Sequence, residues 1–412
     1  MRLSDIPQRS EQAARCCAIA LGFSIPISVA LDNVLLALIL LFWLASLDFR
    51  AKFEHIKRNR VALAALLVFV LLIAGLLYGT RDTGAGTHYL GKYSDLLFIP
   101  VFVTLFRDPQ ARSYAWLTFA AAMSLTLVMS YLVWLGIIPH GDTIAVDPAY
   151  PAVFKRYLTQ NVLMAFAALL FYCLARESKS TTLRYTWLAL TLLAVLNVVL
   201  LNSGRTGQLI LAALLAYVLF SVWRWKGALV TAVAVIVLVA AGGATQRFGL
   251  AFAEWAAWQP GVATESSIGL RLEFYRNSLA MVTANPMLGT GTGSFPKVYA
   301  EHIKGGTLTP TENPHNEYLN IAVQIGAVGL LAMLFLFYSE WRLAALLSSA
   351  FERPLAHGLV ITFVVGCLFN SLLMDHTEGL FFAWASGVLF GGLARQPQTM
   401  ATPLPQNRKW PW

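Results

Sequence analysis

Charge is scarce in this 412-residue chain: only 12% of its residues are charged, where soluble proteins carry roughly 25%. That scarcity, with 58% hydrophobic residues and a mean hydropathy of +0.63, excludes an ordinary soluble globular protein. Alternation of apolar and polar positions is also missing. The apolar runs are continuous, which excludes a membrane β-barrel. Cysteine is sparse. Cys16, Cys17, Cys173 and Cys367 all lie inside apolar runs without metal-ligand spacing, so they read as small buried apolar residues. Acidic residues are the minority charge, 21 against 30 Lys and Arg, for a net +9. No basic patch with interleaved aromatics stands outside the apolar runs, so nucleic acid is not an expected partner.

What is present is a series of long apolar runs. A bilayer core about 30 Å thick is crossed by about 20 helical residues. Runs at 13–30, 32–47, 61–79, 90–106, 113–138, 158–175, 183–201, 206–223, 227–242, 317–338, 354–374 and 377–394 meet or approach that length. They predict an all-α polytopic membrane protein of about twelve transmembrane helices. The 90–106 run is short enough to be tilted or partly re-entrant. Arg2, Arg9 and Arg15 before the first run resemble a signal sequence, but a second run follows at once, so the first is expected to be retained. Lys and Arg set the orientation. With both termini in the cytoplasm, only Arg81, Lys92, Lys155, Arg156 and Arg205 fall in short outer loops. The expected organisation is helices one to nine in 1–242, a long extracytoplasmic loop with short helices in 243–316, helices ten to twelve in 317–394, and a Pro-rich cytoplasmic tail in 395–412.

The cations on the outer side run against the charge bias, and a cation there suggests a partner. Arg205 sits in the tight turn Leu201-Asn202-Ser203-Gly204-Arg205-Thr206-Gly207, where Ser203 or Thr206 can cap the next helix. A guanidinium beside a helix N-terminus makes an anion site with the backbone N–H groups; the simpler role is a snorkelling anchor. Lys155 and Arg156 follow the 148–151 loop and are weaker candidates for the same task. In the long loop, Thr245 to Trp258 reads as an interfacial helix. Ile268 to Ala284 reads as a second helix, ended by Pro286. At 100° per residue Arg271 shares a face with Tyr275, Ser278 and Val282, so Tyr275 can stack on or hydrogen-bond a ligand held by Arg271. Arg276 points elsewhere and is expected to pair with an acid or face water. Leu288 to Phe295 is glycine-rich but lacks the Gly-Lys-Ser/Thr ending of a nucleotide loop, so a tight turn with close backbone packing is expected. Asn313 is the expected N-cap of the following helix, with Pro314 at its first position and His315 in its first turn. The helix dipole would keep that imidazole neutral, as a general base requires. Asn316, Asn320 and Gln324 step down the same face. Glu312, His315 and Glu317, with Asp375 and His376, are the rival metal set, but the spacing is wrong for a tight helical pair and no metal is expected.

Four stretches resemble the O-antigen ligase family, within the wider ligase and polymerase group of C-type membrane glycosyltransferases. They are Ser203-Gly204-Arg205-Thr206-Gly207; Gly269-Leu270-Arg271-Leu272-Glu273-Phe274-Tyr275; Asn285-Pro286-Met287-Leu288-Gly289-Thr290-Gly291; and Pro314-His315-Asn316-Glu317-Tyr318-Leu319 followed by Gly326 and Gly329. Tyr275 stands where the family commonly has Trp. The resemblance implies a periplasmic active site in the inner membrane of a Gram-negative bacterium. Its donor is O-antigen polysaccharide on undecaprenyl diphosphate, and its acceptor is a sugar hydroxyl of lipid A–core oligosaccharide. Transfer is implied to be inverting, with no metal or other cofactor. Arg205 and Arg271 would hold the diphosphate and His315 the hydroxyl proton. Lys155, Arg156, Tyr275, Asn313, Asn316 and Glu317 would contribute to substrate binding. The alternatives are an O-antigen polymerase, a protein O-oligosaccharyltransferase and, in another class, a lipid-linked saccharide transporter or flippase, for which Asp95 is the nearest mid-span candidate.

Overall fold

The computed structural model describes residues 6–79, 83–139, 147, 149–202, 204–224, 226–227 and 244–393. Ser203, Arg81, Pro148, all but the first residue of the expected 227–242 span, and the tail from 394 onward lie outside the described residues.

Among the described residues the chain is helical, with no strand. In order come α1 (Ile6–Ser24), α2 (Val29–Ala45), α3 (Phe49–Arg58), α4 (Arg60–Tyr78), α5 (Thr83–Lys92), α6 (Phe98–Leu105), α7 (Pro109–Trp134), α8 (Tyr157–Glu177), α9 (Thr181–Leu196) and α10 (Arg205–Trp223). Then follow α11 (Ala244–Ala257), α12 (Ser267–Ala284), α13 (Phe295–His302), α14 (Glu317–Ala344), α15 (Glu352–Gly366) and α16 (His376–Phe390). Among the described residues six helices are long and apolar enough to cross a bilayer: α4, α7, α8, α9 with its π-helical extension to Leu201, α10 and α14. A seventh span is possible if α2 and α3, bent by 115°, are counted as one. The run at 90–106 is broken, as its length suggested: a 3-10 turn over Ser94–Leu97 precedes the short α6.

α16 is buried all round from Thr377 to Phe390 and forms the axis of the bundle. Its Phe381 stacks on Phe119 of α7 at 5.0 Å between ring centres, and its Trp384 packs edge-on against Trp116 at 5.4 Å. Between apolar helices in lipid such van der Waals contacts, rather than water exclusion, drive association.

α14 is broken at Ile325 and Gly326. Gly326 has φ of 64°, and a Cβ there would lie 2.2 Å from Met287 O. The break frees carbonyls that lipid cannot satisfy. The glycine-rich turn supplies the donors: Thr290 N donates to Val323 O at 2.8 Å and Gly291 N to Gln324 O at 2.7 Å. Gln324 Oε1 in turn accepts from Gly293 N at 2.7 Å. The turn also meets α4, since a Cβ on Gly291 would lie 2.0 Å from Gly79 Cα. The expected close-packed turn is therefore the clamp that fastens the α12–α13 region to the bundle.

Candidate active site

The N-terminus of α14 differs from the expected arrangement. Asn316, not Asn313, is the N-cap, and its Oδ1 accepts from Leu319 N at 3.0 Å. Asn313 makes a turn of its own, its Oδ1 accepting from His315 N at 2.8 Å. His315 lies before the helix in left-handed conformation, with φ of 52°. That strain costs on the order of 1–3 kcal/mol and persists only where surroundings over-determine it. Tyr275 of α12 supplies part of this: its hydroxyl donates to His315 O at 3.2 Å and to Leu368 O at 2.9 Å. Asn316 Nδ2 donates to the same Leu368 carbonyl at 3.0 Å. Tyr275 thus holds the histidine's backbone, and its hydroxyl is engaged by the protein rather than open to a ligand.

The imidazole of His315 is half-buried and lies beside Phe274, with ring centres 6.1 Å apart. Neither ring nitrogen has a hydrogen-bond partner among the described residues. Burial, and then the Arg271 guanidinium, hold His315 below the ordinary histidine pKa. The imidazole is therefore neutral at pH 7, as expected, but the causes are burial and Arg271.

Arg205 opens α10 after Gly204, and among the described residues no side chain caps that helix. Thr206 instead accepts from Asn370 Nδ2 at 3.1 Å. The glycines on either side of Arg205 have a packing reason. A Cβ on Gly204 would meet Asn161 Nδ2 at 2.7 Å, and one on Gly207 would meet Asn161 Cβ at 2.6 Å. Asn161, one turn into α8, donates through Nδ2 to Asn202 O and Gly204 O. It fixes the turn that presents Arg205. The first turns of α8 and α10 therefore lie side by side.

Tyr157, the first residue of α8, joins the two halves of the site. Arg271 and Arg205 both lie within electrostatic reach of its hydroxyl, and its ring packs on Tyr150 at 4.4 Å between centres. Tyr157 is thus near both arginines, and Arg271 also acts on His315. Among the described residues Arg156, Arg205 and Arg271 have no ion pair or hydrogen bond to a side chain. Arg156 and Arg205 are exposed, while Arg271 is half-buried.

Other expected contributors are engaged elsewhere. Lys155 is buried, with Nζ 3.7 Å from Asp32 Oδ2 and donating to Thr377 Oγ1 at 3.2 Å. Glu317 is fully buried: Oε1 accepts from Tyr93 OH at 2.6 Å and Oε2 from Leu373 N at 2.9 Å. Asn320 donates to Tyr93 OH at 2.9 Å, so the polar stripe below His315 is a closed structural network. Arg276 pairs with Glu273 at 3.1 Å, as expected of a residue on the other face. His376 pairs with Asp95 at 3.5 Å, away from Glu312 and His315. Among the described residues no group of three or more His, Cys, Asp or Glu side chains is placed to hold a metal ion.

The residue 188–334 segment, which carries Arg205, Arg271 and His315, matches the O-antigen ligase family model. Over that segment the chain is similar to the O-antigen ligase family. No curated protein matches it. The likeness supports a ligase- or polymerase-type, glycosyltransferase-like enzyme, and the apolar helices support a multi-pass membrane protein. Sequence reading missed Tyr157, Asn161 and the 367–375 loop. The spacing of Gly204 and Gly207 was the available signal, since two glycines one turn apart ask what approaches them.

Proposed function

We propose that this protein transfers polysaccharide from undecaprenyl diphosphate to a sugar hydroxyl of lipid A–core on the periplasmic side of the inner membrane. The observation that carries the reading is a pair of arginines, Arg205 and Arg271, both within electrostatic reach of Tyr157 and without a side-chain partner among the described residues, with a neutral histidine beside Arg271. In the reaction the acceptor oxygen attacks the anomeric carbon as the bond from that carbon to the diphosphate oxygen breaks. The hydroxyl proton passes to the free imidazole of His315. The electron pair leaves with undecaprenyl diphosphate, and negative charge grows there. Arg205 and Arg271 offer planar, permanently charged donors to that charge. Each charge-assisted hydrogen bond contributes roughly 1.5–3 kcal/mol, so a pair formed only in the transition state gives about 10²–10⁴ in rate. Arg156 and Tyr157 extend the same anion-facing surface. Lys155 and Glu317 take supporting roles through the fold, and Asn313 and Asn316 shape the loop that holds His315.

Purified protein incubated with lipid-linked O-antigen, with and without lipid A–core, tests this reading. Product that requires the acceptor supports ligation. Longer donor-linked chains in the absence of acceptor would instead show a polymerase. Absence of either product, with saccharide crossing a proteoliposome membrane, would replace the enzyme with a transporter.

A further inference from the structure

A second cationic site lies far from the first. After α2 the chain turns through Leu47 and Asp48, both in left-handed conformation with φ of 52° and 45°. It then runs as α3 at 115° to α2. The sequence reading placed no helix between the expected spans 32–47 and 61–79. It is a helix of opposed faces, PheArgAlaLysPheGluHisIleLysArg, packed on α4 and α6 through one side. The outward side is apolar and cationic together. Phe49 and Phe53 are 47% and 57% exposed, and the Lys57 ammonium sits 4.4 Å above the Phe53 ring.

Between α2 and α3 is an open groove of about 390 Å³, lined by Trp43, Phe49, Arg50, Lys52, Phe53 and Ile56. Its floor holds an unusual charge. Lys52 is 5% exposed, and its Nζ donates to Trp43 O and Ser46 Oγ and lies over the Trp43 and Phe49 rings. No carboxylate among the described residues comes within ion-pair distance; Glu11 and Asp48 act only from further away. Lys155, the other fully buried cation among the described residues, behaves differently, since its Nζ lies 3.7 Å from Asp32 Oδ2. An ammonium removed from water without a counter-ion is costly. Its carbonyl, hydroxyl and aromatic neighbours offset part of that cost but bring no negative charge. Arg50 at the rim has no ion pair either, and Lys57 and Arg60 continue the cationic edge.

We propose that this groove binds one anionic phospholipid, its phosphodiester between Lys52 and Arg50 and an acyl chain along Phe49 and Phe53. The apolar lining selects a lipid over a soluble anion, and the uncompensated ammonium selects an anionic headgroup over a zwitterionic one. The site does not depend on the transfer reading, because it shares no residue with the His315 region.

The test uses full-length protein in phosphatidylcholine nanodiscs, titrated with phosphatidylglycerol and followed by native mass spectrometry and thermal unfolding. Wild type is expected to retain phosphatidylglycerol and to unfold at higher temperature with it. Lys52→Met should bind it about tenfold more weakly, the loss expected for one charge-assisted contact. In phosphatidylcholine alone Lys52→Met should be at least as stable as wild type, because a buried charge has been replaced by an apolar chain of similar length. Arg50→Gln, at an exposed position, gives the same loss of retention without touching the core. Equal retention of both lipids by wild type overturns the proposal, as does unchanged retention by Arg50→Gln. An equal thermal shift with inorganic phosphate overturns the lipid assignment.

Discussion

Arg112 and Arg205 both stand in the first turns of helices, yet they live in opposite circumstances. Arg112 Nε meets Glu352 Oε1 at 2.7 Å, with the two side chains 12% and 9% exposed. The same guanidinium donates to Phe106 O and Arg107 O. Ser130, further along the Arg112 helix, bonds Pro151 O and Asn197 in the Arg205 neighbourhood. At 1.5 Å per residue Ser130 stands roughly 27 Å along the helix from Arg112, about one bilayer core. At the first end the fold neutralises its cation. At the second, Arg205 and Arg271 have no side-chain partner among the described residues. A guanidinium that the fold does not use is available to something else, and this difference, rather than nearness to a helix end, separates a structural arginine from a ligand-facing one.

The comparison can be broken most sharply at the unpaired end. Arg205→Ala and Arg271→Ala should each lower polysaccharide transfer by about 10²–10³, the range for losing one charge-stabilising donor. Their thermal unfolding should match wild type, because neither replacement orphans a partner. Near-normal transfer by both variants would sink the leaving-group role. The paired end should respond the other way. Arg112→Ala strands the Glu352 carboxylate and should cost about 2–3 kcal/mol of stability, below the 3–5 of a fully buried pair. Transfer per folded molecule should stay at the wild-type level, and Glu352→Leu added to it should recover part of the loss.

The pH dependence sharpens the same contrast. His315 must be neutral to accept a proton, and burial with Arg271 lowers its pKa. Activity should therefore persist below the ordinary histidine range and fall only at more acidic pH. Removing the Arg271 charge weakens the bias against imidazolium and raises the His315 pKa. The residual transfer of Arg271→Gln should then lose its acid limb at higher pH than wild type; an unmoved limb would separate the two residues. The smallest effect belongs to Arg276→Ala. Its side chain is 49% exposed and the buried Glu273 keeps donors from Trp258, Gly261 and Asn277, so about 1 kcal/mol of stability is at stake and transfer should not change.

Much of the fold was legible because membrane helices advertise themselves by length and hydropathy. The expected runs, apart from the one outside the described residues, each coincide with a helix or a broken helical segment. α12, the tight glycine-rich turn and the Arg276 pairing were readable for local reasons: periodicity, a following proline and angular position on one helix. The N-cap of α14 was misread because Asn313 and Asn316 are equally good caps by residue type. The left-handed backbone at His315, held by Tyr275 from another helix, decides between them. α3 was missed because ten residues with four cations carry no apolar run, and only packing against α4 and α6 reveals the helix.

The sequence by itself determined the all-helical membrane character, the polar interval among apolar runs, and which few cations stand against the charge bias. Those properties follow from solvation and local geometry, which each residue carries with it. Which of those cations remain free was decided by the tertiary structure alone. Lys155 meets Asp32 across more than a hundred residues and Arg205 meets no carboxylate among the described residues, and no local rule distinguishes them, because a counter-charge is supplied by whichever helix the fold brings alongside.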